Sequence, residues 1–287
     1  FDLLLTGHQH MPVESVRIGG TFAVQPPANA GRYLQVEAAV RDGGAEFSAR
    51  LLPVGGIHRE QPYRRLLPLE QAAQRWLDEP VGHLEQAIPP EEKLRAALHG
   101  SAVAALFNQV QLSHTGADIS CTSLGNEPAG LAASVTMRAI TAAYLFSNTL
   151  VVLEITEEIL RALLERCASY FTLENGTPRV SDAFLAPKVE HYNYDFFAGI
   201  SYQFDLRQPV GRRLTRLSRL DGTPLGPGPL RLCTSNYRAT GTGGYDALRT
   251  CPVLWRGSVE MPELVAEYVR ANSPVSLPCN GRMEAIW

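Results

Sequence analysis

Leu150-Val151-Val152-Leu153-Glu154-Ile155-Thr156-Glu157-Glu158-Ile159-Leu160 changes its period within a single residue. The continuous apolar run predicts a buried strand over residues 150–155. Ile159, Leu160, Leu163 and Leu164 recur at helical spacing and predict a helix over 157–170. Thr156 is a good N-cap, and Glu157 and Glu158 complement the dipole in the first turn, so the acidic group with Glu154 reads as a helix start. Outward from this point the alternation continues. Helices are predicted over 91–98, after Pro89-Pro90, and over 102–110 and 136–145. A strand is predicted over 117–122, an antiparallel pair over 199–206 and 213–217, a buried strand over 230–234 and a closing helix over 263–271. The pattern is α/β in the broad α+β sense: a mixed sheet covered by helices, without an internal repeat.

The first 55 residues read differently. Short strand-like runs at 15–18, 22–24, 33–37 and 47–51 are separated by Gly19-Gly20, Pro26-Pro27 and Gly43-Gly44. Four such strands cannot bury their own apolar face, so the segment should need cover from an upstream half or from the domain that follows. At its head, Phe1-Asp2-Leu3-Leu4-Leu5-Thr6-Gly7-His8-Gln9-His10 predicts a short buried parallel strand with His8 and His10 on the loop at its carboxyl end. Ligands bind at that edge of open α/β sheets, and each imidazole could hold one ion of a two-metal site; an ordinary loop His-x-His is the plain alternative. The pattern fades from Gly55 to about Leu67, and helical periodicity returns at 69–77. The expected organisation is a β-rich segment 1–55, a linker 56–75 and a mixed α/β domain 76–287.

Leu4-Leu5-Thr6-Gly7-His8-Gln9-His10 resembles the last metal-binding motif of the calcineurin-like metallophosphatases, and Gly19-Gly20-Thr21-Phe22-Ala23-Val24-Gln25-Pro26 with Gly31-Arg32-Tyr33-Leu34 resembles the strands closing that domain in the 5'-nucleotidase and 2',3'-cyclic-nucleotide 2'-phosphodiesterase family. The resemblance implies that residues 1–55 are a metallophosphatase remnant and 76–287 a 5'-nucleotidase C-terminal domain. It also implies that His8 and His10 serve opposite divalent ions of a dinuclear centre whose other ligands come from upstream motifs. The chain contains neither Asp-x-His nor Asn-His-Glu. Two imidazoles fall short of the roughly three protein ligands a catalytic metal needs, so this polypeptide alone is expected to lack phosphoesterase activity.

The same resemblance draws attention to two aromatic segments. Tyr144-Leu145-Phe146-Ser147-Asn148-Thr149-Leu150 lies at a helix-to-strand handover, and Ser235-Asn236-Tyr237-Arg238-Ala239-Thr240-Gly241-Thr242-Gly243-Gly244-Tyr245 follows a buried strand. Both are similar to the family's substrate loops. This implies that Phe146 and Tyr237 stack on opposite faces of a nucleobase across a slot roughly 7 Å wide, twice a carbon contact distance. Asn148 would hydrogen-bond the base, with Asn236, Gly241, Gly243 and Gly244 completing the binding set. Base stacking on an aromatic contributes about 1–3 kcal/mol and tolerates any base. Taken singly, Phe146 reads as a core residue, Tyr237 as a partly buried loop aromatic and the glycines as a turn with close backbone approach. The glycine segment lacks the Lys-Ser/Thr ending of a P-loop.

Departures from the pattern steer the substrate. The monophosphatase branch carries Gly-Gly-Asp-Gly after its second aromatic and an Asn-Gly-Gly-Ile-Arg signature after the first strand; here the stretches read Thr242-Gly243-Gly244 and Cys121-Thr122-Ser123-Leu124-Gly125-Asn126, without an arginine. Asn236-Tyr237-Arg238-Ala239 and Glu190-His191-Tyr192-Asn193-Tyr194-Asp195 resemble the cyclic-nucleotide phosphodiesterase branch instead. The expected parent is thus a phosphoesterase acting on 2',3'-cyclic or 3'-nucleotides. A nucleoside-binding or surface module without catalysis is the alternative, and a hydrolase of a non-nucleotide substrate such as a sulfur ester is a third. His191 reads either as cleft lining or as part of a tyrosine-rich strand edge, whereas His58, His83, His99 and His114 lack ligand-like spacing.

Composition agrees with a chain of 287 residues that can bury a sizeable core, with 45% hydrophobic and 19% charged residues. A formal net charge of -3 gives no electrostatic reason to expect a nucleic-acid polymer as partner. Five widely spaced cysteines form no Cys-x-x-Cys pair and allow at most two internal bridges. No apolar stretch approaches a membrane span and no targeting signal is visible. The periplasmic or surface location of the resembled family is an implication of the resemblance alone.

Overall fold

The computed structural model of the chain describes residues 1–41, 43–56 and 60–287. The expectation for His58, and part of that for the linker, falls on residues 57–59, outside the described residues. The chain divides into two compact units, Phe1–Leu69 and Glu70–Trp287.

The first unit contains β1 (Leu3–Leu5), β2 (Val13–Ile18), β3 (Thr21–Gln25), β4 (Arg32–Arg41) and β5 (Gly44–Pro53). β1 lies parallel to β3 and β2 antiparallel to it, while β4 and β5 form a separate antiparallel pair. The centre is Phe22, Ala23 and Val24, with the Phe22 ring stacked on Phe47 at 5.8 Å. β1 runs parallel as expected but is not buried: Leu3 is half-buried and Leu4 and Leu5 are exposed. The physical reason is that β3 alone flanks it among the described residues of this unit.

The expected linker is helical from Glu60 onward, in α1 (Glu60–Asp78). Pro62 falls in the first turn, where its missing N–H costs nothing, and Leu, Arg, Gln and Glu supply good helix formers. No α1 residue is buried, although Leu77 in its last turn packs against the core, and residues 60–67 are half-buried at most.

The second unit contains β6 (Pro80–His83), α2 (Lys93–His99), α3 (Ala102–Thr115), β7 (Ile119–Ser123), β8 (Ser134–Thr136), α4 (Met137–Ala143), β9 (Thr149–Ile155) and α5 (Glu157–Ala168). These are followed by β10 (Phe171–Glu174), β11 (Thr177–Val180), β12 (Asp195–Ala198), β13 (Ile200–Asp205), β14 (Leu214–Arg219), β15 (Leu230–Ser235), α6 (Asn236–Ala239), β16 (Val253–Glu260), α7 (Met261–Asn272) and β17 (Arg282–Ile286). The main sheet has the order β12-β7-β15-β9-β16, with β7 and β15 parallel and the other pairs antiparallel. A second sheet, β14-β13-β17, and two short pairs, β10-β11 and β6-β8, complete the unit. It is a mixed α/β fold.

Thr156 caps α5 as the sequence predicts, its Oγ1 accepting from Ile159 N, and Leu160, Leu163 and Leu164 are at most 1% exposed. α3 packs on β7 and β12 and carries Asn108 and Gln111 into the core. Ser120 Oγ joins them, at 2.7 Å from Asn108 Oδ1 and 2.8 Å from Gln111 Oε1, while Asn108 Nδ2 donates to Phe196 O. All five cysteines are free. The sequence reading does not anticipate β16 and β17: β16 is an exposed edge strand paired irregularly with β9, and β17 returns after the expected closing helix to pair with β13.

Leu164→Ala removes a fully buried side chain from the core face of α5. It should lower unfolding free energy in urea by about 2–5 kcal/mol. A loss below about 1 kcal/mol would show that α5 does not carry the core.

Candidate functional site

Strand register brings two loops to one end of the main sheet. β9 and β15 are antiparallel neighbours with Leu150 opposite Ser235 and Ile155 opposite Leu230, so the chain enters β9 beside the point where it leaves β15. Residues 144–149 and 236–245 therefore share an edge. Asn236 ties them together: its Oδ1 accepts from Thr149 N at 3.3 Å and from Tyr237 N at 2.9 Å.

Phe146 is half-buried and packs against the core rather than within it, and Tyr237 is 42% exposed. Tyr144, buried beneath, meets Phe107 and Phe146 edge-on at 5.3 and 6.2 Å and receives Asn148 Nδ2 on its hydroxyl at 3.3 Å. Its phenol is pushed up to about 12, chiefly by burial. Tyr192, in a 3-10 turn over His191–Asn193, adjoins both candidate aromatics. Its ring meets Phe146 edge-on at 6.3 Å. Its phenol is raised to about 12, first by burial, then by the hydrogen bond to Glu190 and its charge, and then by Tyr237. The tyrosine-rich stretch thus splits: Tyr194 and Asp195 are buried, whereas His191 and Tyr192 are half-buried, Tyr192 against Phe146 and His191 against Tyr170.

Beneath this edge lies an ion pair. Arg238 and Asp195, each 2% exposed, form two N–H···O bonds of 2.9 Å. Arg238 also donates to Tyr192 O and Thr242 O and lies 4.2 Å over the Tyr245 ring. Burial opposes its charge, but Asp195, then Tyr245, hold the guanidinium above its ordinary value. One side chain therefore fixes the helix bearing Tyr237, the turn bearing Tyr192 and the glycine segment. Gly243 (φ 80°) and Gly244 (φ 88°) occupy left-handed backbone, and a Cβ would strike Asn193 and Arg238 at the first and Arg166 at the second. Gly241 packs as closely on Arg249. The glycines have a packing reason of their own, whatever they do for a ligand.

A further polar cluster centres on Lys93, which is 8% exposed and donates from Nζ to Leu124 O at 3.1 Å. Burial pulls its pKa down to about 7 against the opposing pull of Asp195. His191 is lowered by burial and then by Lys93, and its Nδ1 lies 2.7 Å from Tyr170 Oη.

In the first unit, His8 and His10 are exposed on the loop after β1. The loop is held by buried Gln25, whose Oε1 accepts from Thr6 Oγ1 and whose Nε2 donates to Met11 O. Among the described residues no three His, Cys, Asp or Glu side chains gather as a metal site. The donors among the described residues do not fit a dinuclear centre.

Tyr192, Asp195 and Arg238 enter the sequence reading only as members of two motifs, without roles of their own, because the pairing of Asp195 with Arg238 spans 43 residues; Lys93 looks like any charge in the first turn of a helix.

Residues 80–250 match the family model described as 5'-nucleotidase, C-terminal domain. The chain is 27% identical over 139 residues to the trifunctional nucleotide phosphoesterase protein YfkN of Bacillus subtilis, covering 44% of this chain and 9% of that protein. It is 23% identical over 258 residues to a 2',3'-cyclic-nucleotide 2'-phosphodiesterase/3'-nucleotidase of Haemophilus influenzae, covering 77% of this chain and 38% of that one. A Staphylococcus aureus protein assigned as a 5'-nucleotidase, solved with α-ketoglutarate, superposes with a TM-score of 0.85 at 27% identity, over 99% of this chain and 56% of its own. A 5'-nucleotidase precursor from Thermus thermophilus shares the fold, with a TM-score of 0.60 at 19% identity over 99% of this chain and 59% of its own. The chain spans less than two thirds of the length of each of these proteins.

Arg238→Met leaves Asp195 charged and buried without its partner. It should cost about 3–5 kcal/mol in denaturant unfolding, and a cost under about 1 kcal/mol would remove the pair from its bracing role. The depressed Lys93 gives a pH-dependent counterpart. Between about 7 and 10.5 the unfolded lysine binds a proton that the folded one does not, so its penalty grows as pH falls through that window. Lys93→Met should therefore be more stable than wild type near neutrality, with the advantage shrinking towards pH 10.5. A stability difference that is flat with pH would contradict the burial of a depressed lysine.

Proposed function

The chain belongs to the family of 5'-nucleotidase C-terminal domains, and we propose that it is the nucleotide-recognition part of a metal-dependent phosphoesterase acting on 2',3'-cyclic or 3'-nucleotides. The observation that carries this reading is the pairing of Leu150 with Ser235, which sets Phe146 and Tyr237 at one edge with Asn236 bridging their loops. The base lies between Phe146 and Tyr237, positioned for reaction by the rigid edge rather than by a mobile loop. Asn148, whose Nδ2 is held by Tyr144, turns its oxygen to a donor on the base. Gly241, Gly243 and Gly244 let the backbone approach the ligand. The preference for cyclic and 3'-nucleotides is supported by the Haemophilus influenzae relative over most of the chain and by the absence of an arginine after Leu124.

Residues 1–55 are proposed as the closing strands of a metallophosphatase domain, with His8 and His10 as ligands contributed to a two-metal centre. Because the donors here are too few, no catalytic step is assigned to this chain, and alone it is proposed to be inactive. Its partner is the metallophosphatase half that completes the centre. Among the described residues no helix is long and apolar enough to cross a membrane. A periplasmic or extracellular setting is proposed, supported by the precursor form of the Thermus thermophilus neighbour.

Tyr237→Ala should weaken adenosine binding to this chain by about 1–3 kcal/mol in calorimetric titration, with far-UV circular dichroism unchanged. Unchanged affinity in a folded variant would remove Tyr237 from the site and leave the base clamp without support.

A further inference from the structure

A cavity of about 740 Å³ lies against the β14-β13-β17 sheet, away from the residues of the candidate edge. Strand register lays out its floor. Ser201 in the central strand lies opposite Ser218 of β14 and Arg282 of β17, and Gln203 lies opposite Arg216 and Glu284. Residues directly opposite share a face, as do residues two apart along a strand. These six side chains therefore form two rows on one face, with Tyr202 turned to the core between them, and all six line the cavity together with Arg161 of α5.

The second row is closed on itself. Gln203, 6% exposed, donates from Nε2 to Glu284 Oε2 at 2.5 Å and accepts from Arg216 Nε at 3.2 Å, and Arg216 Nη2 lies 3.9 Å from the same Glu284 oxygen. Arg161 is held by Glu157 at 2.7 Å. Arg282 differs from both. It is exposed, and among the described residues its side chain makes no ion pair or hydrogen bond; nor does the Ser201 hydroxyl opposite it. The lining thus sets three arginines against one carboxylate, which its own row already engages. A guanidinium fork and a hydroxyl stand side by side with their donors unspent.

We propose that this cavity binds a phosphate dianion, free or as the ester of a small hydroxylated molecule, with Arg282 donating to two of its oxygens and Ser201 Oγ to a third. The planar fork of arginine matches phosphate oxygens two at a time. Arg216 is the diagonal neighbour of Ser201 on β14, a separation that a long side chain spans, and it adds its charge. Ser218 Oγ spends its proton on Arg219 O, so it offers a ligand only an acceptor. Together with Glu284 it suits the hydroxyls of an ester rather than a second anionic group. The inference stands apart from the base clamp, because neither ligand form requires a base.

The test is calorimetric titration of the full 287-residue chain at about pH 7.5 and low salt, where the phosphate is a dianion. Inorganic phosphate and glucose 6-phosphate are the probes, with acetate at matched ionic strength and glucose as controls. At least one phosphate should bind while acetate and glucose do not, and the two phosphates compared show whether the free ion or the ester is preferred. Arg282→Gln should weaken binding about tenfold or more, and Ser201→Ala about two- to tenfold, with circular dichroism unchanged. Arg212→Gln, at an exposed arginine outside the cavity lining, should bind as wild type does. Failure of both phosphates to bind, equal binding of acetate, equal weakening by Arg212→Gln, or wild-type affinity in a folded Arg282→Gln or Ser201→Ala variant would overturn the proposal.

Discussion

The buried pair of Arg238 and Asp195 is the constraint on which the candidate edge depends. Removing two charges from water is costly, and a buried pair alone often fails to recover that cost. Here the guanidinium makes two bonds to the carboxylate, two more to the carbonyls of Tyr192 and Thr242, and a stack on Tyr245. Those partners come from β12, from the turn holding Tyr192 and from the glycine segment of Arg238's own loop. The pair is therefore better understood as a device for geometry than for net stability.

That geometry matters because the aromatic edge is made of short, irregular pieces. α6 is four residues long, the turn holding Tyr192 is three, and neither could hold its shape alone. The main sheet supplies the rigid base through the register of β9 on β15, and Asn236 and Arg238 transmit it upward. A stacking platform needs such rigidity, because its contribution to binding is lost if ordering the rings consumes it.

Much of the fold was legible in the sequence where local signals agree. The strand and helix around Thr156 combine an apolar run, a cap, dipole-complementing acids and a clear stripe, and the structure has all four. Parallel β1 was legible, but its burial was not, since burial depends on what covers the strand. α1 reads as a linker over 60–67 because none of those residues is buried, and β16 and β17 carry little local signal because one is an exposed edge and the other pairs far away in sequence. At the site, the register of β9 on β15 brings the loops carrying Phe146 and Tyr237 to one edge of the sheet. What holds them does not show locally: Asp195 lies in a tyrosine-rich stretch and Arg238 looks like an ordinary helical charge until the fold joins them.

The central claim is that the edge braced by Arg238 reads a nucleobase. A crystal structure of this chain with adenosine tests it most directly. The account predicts the adenine ring in contact with both Phe146 and Tyr237, with Asn148 hydrogen-bonded to it. Adenosine bound elsewhere on the chain, or a ring touching neither aromatic, would contradict it.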